Sequence, residues 1–350
     1  MEKSNYYGGE YDLQDAGKVA AVPPGKVQEQ SRRCGCFLNR SLPVKICMII
    51  ALVLFLGVVV IGGIGLHVWI NVWGGDKDAN LGEDAFSCTD GCIQAVDHSL
   101  WDEVLKEVIT EGLEADGIVF NGIDYERLRT DTALRQKHLD YLTLLSTTNI
   151  DALSGDEALA FMLNVYNAFT VDLIVKKNVR GSIRDLTALT GGSVFDRFKW
   201  ELTTNNKTEK VSLNNVEHQI IRKTLTEHDE PRVHGAVNCA SVSCPDLRAE
   251  AFTAEKLDEQ LDEQMNIWLQ DEGKGIRIDE EKNEIHMSAI FKWFKEDFVA
   301  TEHGGKNDVT DAKDVVEYAM EFATPEVQAY VKKNNPEVKF MPYNWDLIQS

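Results

Sequence analysis

The chain has 350 residues, with 36 basic against 57 acidic side chains and a formal net charge of −21. A surface this acidic excludes nucleic acid as a partner, because phosphate binding needs basic patches. The sequence also lacks a P-loop, a dinucleotide glycine fingerprint, H-E-x-x-H and G-x-S-x-G, which removes many familiar enzyme classes and gives no motif for a cofactor or metal.

Residues 1–45, with Tyr6-Tyr7-Gly8-Gly9 and Pro23-Pro24-Gly25, show no hydrophobic periodicity and are predicted to be a disordered tail. Ile46 to Leu66 then carries no charge and is almost wholly aliphatic. At about 1.5 Å per residue it is long enough for the roughly 30 Å hydrocarbon core. Trp69 and Trp73 follow at headgroup level, so residues 46–73 are expected to form a transmembrane anchor in contact with membrane lipid from Ile46 to Trp73. The run begins too late and is too long for a cleaved signal peptide, which makes it a signal-anchor. Arg32, Arg33, Arg40 and Lys45 precede it and Asp76, Asp78, Glu83 and Asp84 follow, so the N-terminus is expected in the cytoplasm and the C-terminal domain outside the cell or in a lumen. With seven basic and five acidic residues before Ile46, the whole-chain charge of −21 leaves −23 beyond it. Gly57, Gly62, Gly63 and Gly65 would let anchor helices pack closely, which allows a homodimer.

The cysteines divide along the same line. Cys34 and Cys36, with Cys47, lie beside or inside the inner leaflet and are palmitoylation candidates. Cys88, Cys92, Cys239 and Cys244 lie on the outer side as disulfide candidates, with three pairings open. Asn206-Lys207-Thr208 is a glycosylation sequon on that side, which would make the chain a glycoprotein.

After an acidic stalk at 74–96, residues 97–350 read as one helix-rich α+β ectodomain with a small sheet. Apolar spacing predicts helices at 97–115, 132–146, 156–177, 213–226, 254–270, 288–299 and 311–333, with Ser212, Thr253 and Ser288 as caps. Strands are expected at 198–203 and 210–212 around an Asn205-Asn206 turn, at 232–238, and at 276–278 paired with 284–286.

Three segments carry chemistry. The helix Ala158 to Ile174 is apolar almost all round yet contains Asn164, Tyr166 and Asn167, and buried amides must either join a hydrogen-bond network or line a cavity. Asn214, His218 and Arg222 stack on one side of the next such helix, where His218 could relay protons, with Glu217 or Asn214 fixing its tautomer. Arg232 to Arg248 reads as a buried strand running into a loop of small residues. An unbroken strand would place His234 and Cys239 on opposite faces, leaving His218 as the first candidate base for Cys239. Cys239 and Cys244 are either a structural disulfide or a reactive thiol with a cysteine that resolves or protects it.

Four blocks together resemble the domain of unknown function 547 family, found widely in bacteria, plants and other eukaryotes. They are Phe161–Ala168, Ser212–Arg222, His234–Arg248 with its Asn-Cys and Ser-Cys-Pro elements, and Ile290–Phe298; Tyr343-Asn344-Trp345-Asp346 resembles the family's closing element. The resemblance covers roughly 135–350 and implies a fold, with no assigned reaction. Related domains often carry the first cysteine, while some plant members resemble the block with serine in place of the second. The anchor and Cys88 and Cys92 depart from cytosolic relatives. Two functions follow as expectations: a binding module for an unknown protein or glycan, which the oxidising location favours, and a thiol-dependent hydrolase or transferase. The second would use Cys239 as nucleophile, His218 or His234 as base and Asn164 or Asn167 as orienting groups.

Overall fold

The computed structural model describes residues 95–153, 155–187, 190–226, 229–299 and 314–350. The predicted tail, the anchor Ile46 to Trp73, and Cys34, Cys36, Cys88 and Cys92 lie outside the described residues.

In chain order, α1 (Ser99–Val108) leads into the hairpin β1 (Ile109–Ala115) and β2 (Ile118–Ile123). Then come α2 (Tyr125–Thr130), α3 (Thr132–Thr147), α4 (Asp156–Lys177), α5 (Val194–Arg197), and a second hairpin of β3 (Lys199–Thr204) and β4 (Lys207–Ser212). α6 (Asn215–Leu225) is wound in π turns and is followed by the short α7 (Val233–Ala236) and α8 (Leu257–Gln270). The chain closes with β5 (Ile276–Asp279), β6 (Glu284–Met287), α9 (Ala289–Trp293), α10 (Lys295–Val299), α11 (Asp314–Ala319), α12 (Pro325–Asn334) and β7 (Glu337–Phe340). The fold is helix-rich α+β, as expected, but the strands form three small sheets rather than one: β1–β2, β3–β4 and β5–β6–β7, with β7 parallel to β6.

The core is organised by α4, whose sequence is apolar on every face and which is buried along nearly its whole length. Among the described residues it is the one helix long and apolar enough to cross a membrane, and it runs instead through protein. Asp172, near its C-terminal end, is buried with it and accepts hydrogen bonds from Trp200 Nε1 (3.0 Å) and Arg135 Nη2 (3.3 Å). A second apolar cluster, built from α8, the three-stranded sheet and α9 to α12, adjoins the first, and Tyr343 packs against both.

Local chemistry explains where these elements start and stop. Asp131 caps α3 by accepting from Ala133 and Leu134 N–H, Ser288 caps α9 through Ile290 N, and Ser212 Oγ accepts from Asn215 N at the start of α6. Asn205 and Asn206 both take positive φ, 51° and 54°, as a two-residue hairpin turn requires.

Five further expectations are corrected, the first being the 288–299 helix, which breaks at Phe294 into α9 and α10. The helix expected over 97–115 ends at Val108, because Asp116 (φ 53°) and Gly117 (φ 77°) form a turn that folds Ile109–Ala115 back on β2. The strand expected over 232–238 is the helical turn α7, with extended backbone only from Val237 onward. The helix expected over 311–333 is broken into α11 and α12, since Thr324 caps a new helix with Pro325 in its first turn. Thr253 makes no side-chain cap; its own N–H donates to Gln260 Oε1 at 3.0 Å.

Candidate functional site

The two buried amides of α4 act as clamps. Asn164 donates to Phe252 O (2.8 Å) and accepts from Phe252 N (3.0 Å), pairing with one backbone residue as a strand neighbour would. Asn167 donates to Ala236 O (3.0 Å) and accepts from Asn238 N (2.9 Å). Both side chains therefore spend oxygen and nitrogen alike on the two loops they hold, and the network is the part of the sequence expectation that the geometry fits.

The second clamped loop carries the cysteines. Asn238 donates to Pro245 O (2.7 Å) and accepts from Ala240 N (2.8 Å), closing the loop between Cys239 and Cys244 into a tight turn. Inside it Ala240 has φ 63°, a conformation that costs a residue with a Cβ about 1–2 kcal/mol. The turn brings the two sulfurs into bonding contact, with Cα atoms 6.3 Å apart, and Cys239 N–H points at Cys244 Sγ (3.0 Å). Tyr343 reaches over from the C-terminal segment, its hydroxyl 3.2 Å from Cys239 Sγ and 3.1 Å from Cys244 Sγ.

Beside the loop lies a buried ionic network. Asp297 of α10 accepts from Arg222 Nε (2.5 Å) and Nη2 (2.9 Å) and bonds His234 Nε2 (2.7 Å), all three side chains being almost fully buried. Burial by itself would raise the Asp297 carboxyl, but the hydrogen bonds from His234 and Arg222 outweigh it and hold the group below the usual carboxylate range. Burial pushes His234 down, with Asp297 pulling the other way, so at neutral pH the imidazole is neutral and its Nε2–H donates to the carboxylate. Phe294 backs the network, stacked on His234 at 4.4 Å and lying under the Arg222 guanidinium at 4.7 Å.

A small, partly open cavity of about 10 Å³ joins these parts, and its polar lining is Tyr166, Glu217, His234, Cys239, Cys244 and Tyr343. Of the residues expected from sequence, it thus brings together Cys239, Cys244 and His234. The parity argument that separated His234 from Cys239 fails because α7 is a helical turn, not a strand. His218 stands behind the network, with Nδ1 3.1 Å from Arg222 Nη1 and 3.8 Å from Glu217 Oε1. Asn164 and Asn167 hold the loops from the far side. Sequence reasoning gave no role to Asp297 or Tyr343; a buried acid on the apolar face of Phe291, Phe294 and Phe298 is the signal that would have found Asp297.

Asn206 lies exposed at the tip of the β3–β4 turn. Among the described residues, Asp279, Glu284 and His286 bring one metal-ligand atom each within 4.8 Å of one another. That group is already satisfied by Lys282 Nζ on Asp279 (2.6 Å) and by the His286–Glu284 contact (3.0 Å).

Neither the curated proteins nor the solved structures contain a match to the chain. A family model does match, over residues 150–269, a stretch that includes Asn164, His218, His234, Cys239 and Cys244 and leaves out Asp297 and Tyr343. The matching model, which covers residues 150–269, is that of the family described as "Protein of unknown function, DUF547", and that stretch of the chain is similar to it.

Proposed function

We propose that this domain is a thiol-dependent hydrolase or transferase kept in a masked form, with Cys239 as nucleophile, His234 as base, Asp297 fixing His234, and Cys244 as the cysteine that covers Cys239. The observation that carries this reading is that Cys239, Cys244 and His234 line one cavity while His234 Nε2 is held by a buried carboxylate. A disulfide that merely closes a tight turn has no need of a buried Asp–Arg–His network beside it. With Nε2 committed to Asp297, proton exchange with the cavity falls to His234 Nδ1, the arrangement of a cysteine–histidine–acid site. An oxidised Cys239 cannot attack, so activity requires reduction of the pair by a thiol donor.

The test is alkylation of the full chain by iodoacetamide, read by peptide-resolved mass spectrometry before and after dithiothreitol. Expected is no labelling of Cys239 before reduction and fast labelling at pH 7 after it, with His234→Asn slowing the reduced form by at least about tenfold. A reduced Cys239 that labels like an ordinary thiol, unchanged in His234→Asn, would leave a binding module.

That second reading has its own support in an open groove of about 930 Å³ between the β5–β6 hairpin and α12, lined by Ile276, Ile278, Asn283, Val327, Tyr330 and Lys333 among others. The surface there could seat a protein or glycan partner. For placement in the cell, the uncharged run Ile46–Leu66 and its charge asymmetry support a single-pass anchor with the domain outside or in a lumen. That side suits an oxidised pair and a glycan on Asn206. Glycosidase treatment of membrane fractions reads this directly: a mobility shift that Asn206→Gln abolishes is the expected result, and protease digestion of the domain in sealed cytoplasm-facing vesicles would refute it.

A further inference from the structure

The C-terminal segment is bolted to the cysteine loop. Asn344 N donates to Ser243 Oγ (2.9 Å), Ser243 N to Asn344 O (3.2 Å), Val242 N to Asp346 O (2.9 Å) and Leu347 N to Gly181 O (2.7 Å). These bonds fix the backbone after Tyr343, Met341 N donating to Met287 O (2.8 Å) fixes it before, and its ring packs against Trp293 (4.9 Å) and Trp345 (4.7 Å). The hydroxyl has an oxygen partner as well: Ser241 Oγ lies 3.1 Å from Tyr343 Oη and 3.1 Å from Cys239 Sγ, and when the serine proton is given to Tyr343 the tyrosine's own proton is left for sulfur.

We propose that Tyr343 is a catalytic residue of the thiol site, donating a hydrogen bond that stabilises the thiolate of Cys239 once the pair with Cys244 opens. The inference rests on the thiol reading above. When a small dithiol reduces the pair, its thiolate attacks Cys244 Sγ and forms a mixed disulfide; the Cys239–Cys244 bond breaks and its electron pair passes to Cys239 Sγ. The dithiol's second thiolate then displaces Cys244, leaving two reduced cysteines and a cyclic disulfide. In the closed pair the Tyr343 hydroxyl oxygen lies 3.2 Å from Cys239 Sγ and 3.1 Å from Cys244 Sγ, within reach of either sulfur. Its bond to a neutral disulfide is weak, whereas a bond to a thiolate is charge-assisted, so Tyr343 favours the open, ionised state over the closed one. Ser241 strengthens the donor by polarising the same hydroxyl.

The experiment compares alkylation of Cys239 by iodoacetamide across pH in the full chain carrying Cys244→Ser, with Tyr343 intact, with Tyr343→Phe and with Ser241→Ala. Phenylalanine keeps the ring against the tryptophans and removes only the donor. Expected is a midpoint below that of a free cysteine with Tyr343 present, about tenfold slower labelling at pH 7 in Tyr343→Phe, and a smaller shift in the same direction in Ser241→Ala. A lowered midpoint that neither substitution moves overturns the role of Tyr343 and leaves the thiol site standing. An ordinary midpoint with Tyr343 present overturns both. Because Ser241 Oγ also lies 3.1 Å from Cys239 Sγ, the fallback should Tyr343→Phe fail to fold is 3-fluorotyrosine at position 343, a stronger donor expected to lower the midpoint further, an unmoved midpoint overturning the proposal.

Discussion

Two buried aspartates in this domain each sit beside an arginine and a histidine, and they use them differently. Asp297 is bonded at 2.7 Å to His234, whose ring also lines the cavity with the two cysteines. Asp172 is held by Trp200 and Arg135, while His138 Nε2 stands 4.0 Å away and neither of its ring nitrogens has a hydrogen-bond partner among the described residues. His138 instead packs against the Trp101 ring at 5.7 Å. The same three residue types thus make a carboxylate-bonded imidazole beside the cysteines in one place and core filling in the other. The difference lies in whether the carboxylate orients the imidazole and whether the ring has a reactive neighbour.

The largest expected contrast is in stability. Asp297→Asn removes the buried, doubly bonded counter-charge of Arg222, 1% exposed, and leaves it the half-exposed Glu296 at 3.3 Å, and should cost about 3–5 kcal/mol by urea denaturation. Asp172→Asn keeps an acceptor for Trp200, and the partly exposed Arg135 can turn to water, so about 1–3 kcal/mol is expected. Equal losses would show that the two clusters are one kind of feature.

Acid bears on the histidines of both next. Burial lowers His138, and it takes His98, bonded to Tyr141, down to about 4. Below the ordinary histidine value near 6.5 the unfolded chain binds protons that the folded chain refuses, so stability is complete at neutral pH and falls as pH drops from about 6.5 toward 4. For His98 alone this amounts to about 2 kcal/mol at pH 5. His138→Leu should flatten the profile measured from pH 7 to 5. In the other cluster Asp297, with its carboxyl held low, gives way only below the ordinary carboxylate range, but His234 beside it is lowered by burial and adds to the loss in the histidine window. A profile unchanged by His138→Leu would mean that His138 is not the acid-sensitive partner of the two.

The smallest effect concerns the cysteine loop. Glycine at position 240 tolerates φ 63°, so Ala240→Gly should raise the unfolding free energy by about 1 kcal/mol if the loop keeps its shape. A loss instead would mean that the Ala240 methyl contributes more by packing than its conformation costs.

Where the sequence repeats over short range, it reveals the structure. The expected 156–177 helix coincides with α4, and the capping serines and the Asn205-Asn206 turn were legible because each depends on a few adjacent residues. The apolar run Val233–Val237 suits a buried strand or a buried helical turn equally, and only its packing on α8, where Gly235 sits so close that a Cβ would meet Met265 Sδ at 2.9 Å, decides for the turn. β7 was invisible because a parallel pairing with β6 leaves no local mark. The site shows the same division. Asn164, Asn167, His234, Cys239 and Cys244 stood out by residue type against their surroundings. The partners that give them a chemical setting come from far along the chain, Asp297 at a separation of 63 residues from His234 and Tyr343 at 104 from Cys239.

The C-terminal segment has a kinetic consequence. It pairs Gln349 with Ile123, bonds Leu347 to Gly181 and lays Tyr343 on the cysteine loop, contacts that span 100 residues or more. Closing such long loops is slow compared with forming α3 or α4 from their own sequence. The segment therefore docks late, and until it does the chain has an open cysteine loop, which makes refolding yield sensitive to the thiol–disulfide balance of the buffer.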